Sequence, residues 1–254
     1  IINTLWYQLN AIKKGQSRPK DQPQGTVKKV GILGAGMMGA GIAHANAIRG
    51  IPCVLKDVSL EKAQQGRHYT QQLTDKLVQR QRMDVGKQLK TMAHIQATDQ
   101  TADLKGCDLV IEAVFENREL KAQVTQEAEA MLAADGVFAS NTSTLPITGL
   151  AKASARPASF VGLHFFSPVD KMALVEIIRG LQTSDATHDA VHDLAKRLGK
   201  SPITVKNAPG FVVNRILVPM INEAFFVLGE GLATPQDIDD GMRLGCNHPI
   251  GPLA

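Results

Sequence analysis

Cysteine is scarce in this chain, and long apolar runs are missing from it. The three cysteines, Cys53, Cys107 and Cys246, are far apart and form no CxxC pair. This spacing disfavours a disulfide framework and a zinc cluster, and it favours a reducing compartment. No apolar run approaches the roughly 18 residues of a membrane-spanning helix, and no stretch has the pattern of a signal peptide. The sequence therefore predicts neither a secreted disulfide scaffold nor a membrane span, and no metal site.

Neither sign of charge dominates the chain. The net charge is +4 over 254 residues, and lysine and arginine form no long run, so nucleic acid is not a predicted partner. The slight basicity suits either an anionic small molecule or an ordinary surface. With 44% hydrophobic and 20% charged residues, the chain is predicted to be globular. Its length allows one large domain or two smaller ones.

The first segment, residues 1–25, differs in composition from the rest of the chain. Apolar residues at helical spacing predict a short helix over residues 1–14, and the following GQSRPKDQPQG is typical of a linker. Because the chain begins with Ile1 rather than Met, we expect it to be part of a longer polypeptide.

Residues 26–206 alternate between apolar strands and amphipathic helices. The predicted strands are, in order, VKKVGIL, IPCVLKD, DLVIEAV, GVFASN, FVGLHFF, LVEIIR and PITVK. One long helix is expected to begin after Ser59, as its N-cap, and to run to about Met83. This alternation predicts an α/β fold with a parallel, doubly wound, Rossmann-type sheet.

Residues 207–254 have a different character, with two successive helical stretches and no strand. The first covers residues 209–230, and the second begins after Thr234 as cap, with Pro235 at its first position. They predict the start of an all-helical C-terminal domain. A segment of about 50 residues is too short to close its own core, so we expect this domain to be truncated, or completed by missing chain or a partner.

A GxGxxG motif follows the first predicted strand and opens a helix. Gly34 would permit the tight turn, Gly36 would let the backbone approach a pyrophosphate, and Gly39 would allow close helix–strand packing. The N-terminus of that helix offers N–H groups to the phosphates. Asp57 ends the second strand, where a carboxylate accepts hydrogen bonds from a ribose and repels a 2′-phosphate. The pattern therefore predicts a dinucleotide site that prefers NAD.

Four polar residues are candidates for the active site. Ser143 and His164 lie near the ends of predicted strands, Glu176 lies inside a predicted strand, and Asn214 lies at the start of the second domain. A buried, unpaired carboxylate is costly, so Glu176 needs a partner or an outward face. Two interpretations stay open for it, a surface acid on an edge strand and a partner that orients His164. The other three residues also have purely structural interpretations. His164 could be a histidine of the core, Ser143 could cap a loop, and Asn214 could form a hydrogen bond within the first turn of its helix.

An NAD site combined with a histidine–carboxylate pair predicts the oxidation of an alcohol. The histidine would take the hydroxyl proton while a hydride leaves the same carbon for the nicotinamide. Ser143 and Asn214 could hold the substrate oxygen as it changes from a hydroxyl to a carbonyl.

Six motifs, within a similarity that extends from about Val27 to the last residue, occur in a fixed order: LGAGMMGAGIA, VIEAVFEN, ASNTST, HFFSPV, LVEII and PGFVVNRILVP. Together they resemble the 3-hydroxyacyl-CoA dehydrogenase family. The earlier NAIKKGQSRPK resembles the segment that precedes the dehydrogenase part of multifunctional fatty-acid oxidation α subunits. The resemblance implies NAD-dependent oxidation of an L-3-hydroxyacyl-CoA thioester to a 3-oxoacyl-CoA in fatty-acid β-oxidation.

The resemblance also implies roles for single residues. His164 becomes the general base and Glu176 its partner, while Ser143 and Asn214 contact the reacting oxygen, Ser143 also near the nicotinamide. Further positions that touch NAD are Met38, Asp57, Val114, Phe115, Glu116 and Lys121. Without the resemblance, Lys121 reads as a solvated cation on a helix.

One position departs from the family pattern. Ser167 stands where many members carry an asparagine that contacts the nicotinamide end of the cofactor. Serine keeps a hydrogen-bonding group but has a shorter reach, so the geometry of the cofactor contact is open at this position.

The resemblance further implies an acyl-CoA thioester as substrate, and a homo-oligomer or a multienzyme fatty-acid oxidation complex as the assembly. It favours the cytoplasm of a bacterium and leaves the mitochondrial and peroxisomal matrices open. Two alternatives remain: another member of the same superfamily, such as a 3-hydroxybutyryl-CoA or sugar-acid dehydrogenase, and a non-catalytic NAD-binding scaffold or interaction module.

Overall fold

The structure, a computed structural model, describes residues 27–254. The helix and linker predicted for residues 1–25 lie outside this range. By its internal contacts the chain divides into two units, with the boundary between Asn207 and Ala208, beside the domain boundary predicted after residue 206.

The first unit holds one sheet of eight strands, whose order is β3-β2-β1-β4-β5-β6-β7-β8. The strands are β1 (Val30–Leu33), β2 (Cys53–Lys56), β3 (Ile95–Thr98), β4 (Leu109–Glu112), β5 (Val137–Ser140), β6 (Phe160–Phe165), β7 (Leu174–Arg179) and β8 (Ser201–Lys206).

Helices connect most of these strands and are the main regular structure of the second unit. They are α1 (Met37–Ala47), α2 (Leu60–Gln79), α3 (Val85–Ala93), α4 (Arg118–Glu129), α5 (Ile147–Leu150), α6 (Asp185–Arg197), α7 (Val213–Gly229) and α8 (Pro235–Asp240). The predicted Rossmann-type α/β fold followed by a helical C-terminal part is confirmed.

The sheet is mixed rather than wholly parallel. β7 runs antiparallel to β6 and parallel to β8, so the prediction of a parallel sheet is wrong at this end. Only residues 166–173 join β6 to β7, whereas a parallel connection needs a crossover of about a dozen residues or more. The short loop turns the chain back, and the end of β6 therefore pairs with the start of β7.

The sequence interpretation missed β3 and α3. The predicted long helix is α2, and the hydroxyl of Ser59 caps it by accepting from the backbone N–H of Lys62 at 3.3 Å, as expected. α2 ends at Gln79, however, before the predicted end. The edge strand β3 has the sequence IQAT, with only its first and last residues buried, so it lacks the apolar run by which the other strands were found.

The order of the central strands determines where a ligand can bind. β1, β4 and β5 are buried at every residue, as expected for strands covered by helices on both faces. β1 lies between β2 and β4, so the chain leaves β1 in one direction and later crosses back to its other side. This switch point opens a crevice at the carboxyl ends of β1 and β4, where folds of this class bind ligands.

The second unit, Ala208–Ala254, begins with a turn that delays its first helix. α7 starts at Val213 rather than at the predicted residue 209. Gly210 and Phe211 have φ values of +72° and +51°, and this left-handed backbone does not continue into a right-handed helix.

The second predicted helix of this unit is α8. Thr234 is its N-cap and Pro235 its first residue, as expected from the sequence. Within residues 27–254, no helix is both long and apolar enough to cross a membrane.

Candidate active site

The glycine loop between β1 and α1 shows three different reasons for glycine. Gly34 has a φ of +89°, and a Cβ there would lie 2.6 Å from the carbonyl oxygen of Ala113. A Cβ on Gly39 would lie 1.7 Å from the carbonyl oxygen of Gly34, so α1 could not pack so closely on the loop. At Gly36, apart from the residue itself and its two chain neighbours, no atom of the described chain lies within 4 Å of the Cβ position. A side chain there would therefore point into open space, where the phosphates of a dinucleotide would need room.

A cavity of about 670 Å³ lies beside this loop, at the carboxyl ends of β1, β2 and β4. Six of the residues predicted to bind the cofactor line it: Gly34, Gly36, Met38, Asp57, Val114 and Phe115. Gly39 packs against the backbone of the loop at Gly34 and is not part of the lining. The lining also does not include Glu116, Lys121, Ser143 or Ser167. The sequence interpretation missed two lining side chains of α2, Gln65 and Tyr69.

Asp57 connects the second strand to the glycine loop. Its Oδ2 atom accepts from the backbone N–H of Ala35 at 2.6 Å, and its Oδ1 atom accepts from that of Val58 at 2.7 Å. Each carboxylate oxygen can accept more than one hydrogen bond, so both can still receive a ribose hydroxyl. The open side of the glycine loop, the N-terminus of α1 and this carboxylate together fit NAD.

The antiparallel pairing of β6 and β7 places His164 directly opposite Glu176. Nδ1 of His164 lies 2.8 Å from Oε2 of Glu176, and the two residues are 4% and 0% exposed. β7 lies between β6 and β8, so Glu176 is neither on an edge strand nor at the surface. An ionised carboxylate only accepts hydrogen bonds. Nδ1 of His164 is therefore the protonated ring nitrogen, and it donates a hydrogen bond to Glu176.

Ser143 lies on the other side of the imidazole. Its Oγ atom is 3.0 Å from Nε2 of His164. The ring of Phe166 packs against the imidazole, with 4.6 Å between the ring centroids. The histidine is therefore oriented at both nitrogens, and Nε2 faces a hydroxyl group, which is the arrangement a general base needs.

Lys121 is buried, so its interpretation as a solvated helix cation is wrong. It is 2% exposed, and its Nζ atom lies 2.8 Å from both carboxylate oxygens of Glu112, which is 1% exposed. A second carboxylate, that of Glu116, lies 3.4 Å from the same Nζ atom. Whether Lys121 also touches NAD stays a prediction.

Glu116 links this ion pair to the loop that follows β5. Its Oε1 atom accepts from the backbone N–H of Ser143 at 2.7 Å and from the hydroxyl of Thr142 at 2.8 Å. In the same loop, Oδ1 of Asn141 accepts from the backbone N–H of Phe165 at 2.9 Å, beside His164. These contacts hold Ser143 against the end of β6.

Glu112, Asn141 and Thr142 are the residues of this network that the sequence interpretation missed. A signal existed for Glu112, because VIEAV surrounds it with apolar residues just as LVEII surrounds Glu176. The cost of burying a lone carboxylate applies equally to both. No comparable signal marked Asn141 and Thr142 within the polar run SNTST.

Two further predicted site residues belong to a loop and to the second unit. Ser167 is exposed in the loop after β6, and its Oγ atom lies 3.5 Å from Sδ of Met37 at the start of α1. Asn214 belongs to the second unit, near the start of α7. The roles of both residues toward cofactor and substrate stay predictions.

A doubly wound sheet with a glycine loop, a strand-end acid and a fitting cavity defines the class of dinucleotide-dependent oxidoreductases. Comparison with known families then assigns the chain within that class. The sequence model described as "3-hydroxyacyl-CoA dehydrogenase, NAD binding domain" matches residues 29–208, and that of the C-terminal domain matches residues 210–254. The chain belongs to the 3-hydroxyacyl-CoA dehydrogenase family and uses NAD, as the sequence motifs predicted.

Individual relatives agree with this assignment. A probable 3-hydroxybutyryl-CoA dehydrogenase of Deinococcus radiodurans is 44% identical over 225 residues, which cover 89% of this chain and 81% of the relative. The crystal structure of (S)-3-hydroxybutyryl-CoA dehydrogenase from Ralstonia eutropha is 52% identical, with a TM-score of 0.87, over 89% of this chain and 80% of that one. A fatty acid oxidation complex subunit alpha of Idiomarina loihiensis is 42% identical over 226 residues, which cover 89% of this chain but 31% of that subunit.

Proposed function

We propose that this chain oxidises the 3-hydroxyl group of an L-3-hydroxyacyl-CoA to a 3-oxoacyl-CoA, with His164 as general base and Glu176 as the residue that orients it. The observation that carries the proposal is the buried His164–Glu176 pair, whose 2.8 Å contact leaves Nε2 facing Ser143 at the carboxyl edge of the sheet. The 3-hydroxybutyryl-CoA dehydrogenases among the relatives support a short acyl chain.

The proton steps follow from the two contacts of the imidazole. A substrate hydroxyl placed between Ser143 and His164 gives its proton to Nε2, and the resulting imidazolium is stabilised by the carboxylate of Glu176 at Nδ1. The Ser143 hydroxyl can donate to the substrate oxygen as it becomes a carbonyl. When bound, NAD supplies the acceptor for the hydride that leaves the same carbon.

Residues of the glycine loop and of the cavity would hold the cofactor. The N–H groups at the start of α1 would face the phosphates beside Gly36, and Asp57 would accept from the adenosine ribose. The same carboxylate would repel a 2′-phosphate, so we expect NAD to be preferred over NADP.

The test is NADH oxidation with acetoacetyl-CoA, the reaction in reverse. We expect His164→Ala to lower kcat by about 1000-fold, since a positioned general acid or base contributes about 100- to 10,000-fold. The affinity for NADH, measured by fluorescence titration, should stay near that of the wild type. His68, an exposed histidine on α2, provides the matched control, and His68→Ala should retain full activity.

Three outcomes would contradict parts of the proposal. Full activity of His164→Ala would exclude the mechanism. Turnover of a sugar acid in preference to acetoacetyl-CoA would favour a sugar-acid dehydrogenase of the same superfamily. Tight NADH binding by a wild type that turns over neither compound would favour the non-catalytic scaffold.

The pathway and the assembly are further parts of the proposal. Similarity to a fatty acid oxidation complex subunit alpha supports a role in fatty-acid β-oxidation as the dehydrogenase part of a multifunctional enzyme, and membership of a multienzyme complex. Similarity to 3-hydroxybutyryl-CoA dehydrogenases over about four-fifths of their length supports instead an enzyme that acts outside such a complex, for which a homo-oligomer stays the predicted assembly. The bacterial cytoplasm remains the predicted location.

A further inference from the structure

The loop between β6 and β7, residues 166–173, connects the two halves of the histidine–glutamate pair and carries Ser167. We call it the hairpin loop. Its backbone turns at Pro168, whose carbonyl oxygen accepts from the N–H groups of Lys171 at 3.0 Å and Met172 at 2.9 Å. These local bonds shape the loop but do not attach it to the cofactor cavity.

One attachment comes from helix α2, in the wall of the cavity. Tyr69 lines the cavity, and its hydroxyl lies 2.9 Å from Oδ1 of Asp170 in the hairpin loop, 101 residues away in sequence. Burial, helped by the hydrogen bond to Asp170, raises the pKa of Tyr69 to about 12. The phenol therefore keeps its proton at neutral pH and acts as the donor. The ring of His44 on α1 packs edge-on against the tyrosine ring, at 6.3 Å between centroids.

A second attachment of the hairpin loop comes from Lys200. The Nζ atom of Lys200 donates to the carbonyl oxygens of Val169 and Met172, the latter at 2.8 Å. The Val169 side chain packs on α1 at Gly41, where an added Cβ would lie 2.9 Å from Cβ of the valine. Lys200 and Val169 thus hold the loop to the rest of the unit, and the Tyr69–Asp170 bond joins it to the α2 wall of the cavity.

The attached loop places Ser167 beside the start of α1, where its Oγ atom lies 3.5 Å from Sδ of Met37. Met37 lines the same cavity as Tyr69. We propose that Tyr69 is a positioning residue for NAD binding, which acts through Asp170 to hold the hairpin loop and Ser167 against the cofactor cavity. The inference rests on the proposed function only in taking this cavity as the NAD site.

The experiment is a fluorescence titration with NADH of the wild-type chain, Tyr69→Phe, Asp170→Ala, Asp170→Asn and the double variant Tyr69→Phe/Asp170→Ala. Loss of one hydrogen bond corresponds to roughly a two- to tenfold change in affinity, and we expect each of the first two variants to raise the Kd about fivefold. The double variant should bind no more weakly than Asp170→Ala, because Asp170→Ala already removes the contact that Tyr69→Phe breaks. Asp170→Asn keeps a side-chain oxygen that can accept from Tyr69 and should bind like the wild type.

Further measurements separate positioning from a structural role. The kcat at saturating NADH and the Tm of both single variants should stay near the wild-type values. Gln236→Ala removes an exposed side-chain hydrogen bond on α8, that to Asp240 at 3.0 Å, and should change neither Kd nor Tm.

Several results would overturn the inference. Weaker binding by Tyr69→Phe but not by Asp170→Ala would mean that the tyrosine hydroxyl meets the cofactor directly. A lower Tm with unchanged Kd in both variants would mean that the contact only stabilises the fold. Unchanged Kd and Tm would leave the contact without a role in binding. A wild type that does not bind NADH would contradict the proposed function itself, and this inference with it.

Discussion

Two buried glutamates, each flanked by apolar residues in a strand, have different partners. Glu112 ends β4 within VIEAV and is 1% exposed, while Glu176 lies in β7 within LVEII and is 0% exposed. Glu112 contacts Lys121, a cation at neutral pH, and Glu176 contacts His164, whose ring can gain and lose a proton. Local sequence thus predicts that a buried acid needs a partner, and the partner decides whether the pair is a fixed ion pair or can take part in proton transfer.

The surroundings of the two pairs reinforce this difference. Both oxygens of Glu112 contact Lys121, its Oε1 atom also accepts from the Ser140 hydroxyl, and its Oε2 atom accepts from the N–H of Val114 at 3.3 Å. His164 instead presents Nε2 to the hydroxyl of Ser143. The first pair is surrounded by structural contacts, while the second faces a group that a substrate hydroxyl can join.

The largest effect expected from this comparison is on stability, at Glu112. Glu112→Gln leaves the Lys121 cation buried with only the more distant Glu116 to balance it. We expect the free energy of unfolding to fall by about 3 kcal/mol, the lower end of the range for breaking a buried ion pair. Denaturant titration followed by circular dichroism measures this change.

An exposed glutamate provides the control for that measurement. Glu119→Gln, in the first turn of α4, should change the free energy of unfolding by less than about 0.5 kcal/mol. A similarly small change in Glu112→Gln would mean that Glu116 alone compensates Lys121, and the two buried acids would then differ less than the structure indicates.

The next effect is on turnover, at Glu176. Glu176→Gln keeps the shape of the side chain and can still accept from Nδ1, but it no longer stabilises an imidazolium. We expect kcat for acetoacetyl-CoA reduction to fall about 100-fold, within the range for general acid–base catalysis. The Kd for NADH should change by less than about threefold, a small difference in free energy. Retained turnover would reduce Glu176 to a structural acid like Glu112.

The smallest effect is expected at Ser143. Ser143→Ala removes the hydroxyl that faces Nε2, while its backbone N–H still donates to Glu116. We expect kcat to fall about tenfold, as for the loss of one hydrogen bond of typical strength, with no change in the stability measured for Glu112→Gln. A loss as large as that of Glu176→Gln would mean that Ser143 controls the orientation of His164.

Sequence patterns predicted much of the fold and part of the site. The strands with apolar runs, the N-caps at Ser59 and Thr234, and the glycine loop were all found, because each depends on neighbouring residues. Three features were missed. The edge strand β3 is too polar to show an apolar run, the turn at Gly210 depends on left-handed backbone, and the direction of β7 depends on the length of the loop before it. For the site, residue types indicated His164 and Glu176 but not whether they meet.

Neighbouring residues along the chain are therefore enough to predict the local chemistry: where a turn needs glycine, where a helix is capped, and which acids lie among apolar neighbours. Only the tertiary structure decided which partner each acid received. Glu176 meets His164 because an eight-stranded sheet turns antiparallel at β7, and Glu112 meets Lys121 because α4 packs back over β4. The partners in both pairs are at least nine residues apart in sequence, and strand pairing and helix packing bring them together. A pattern of neighbouring residues therefore does not show which side chains meet.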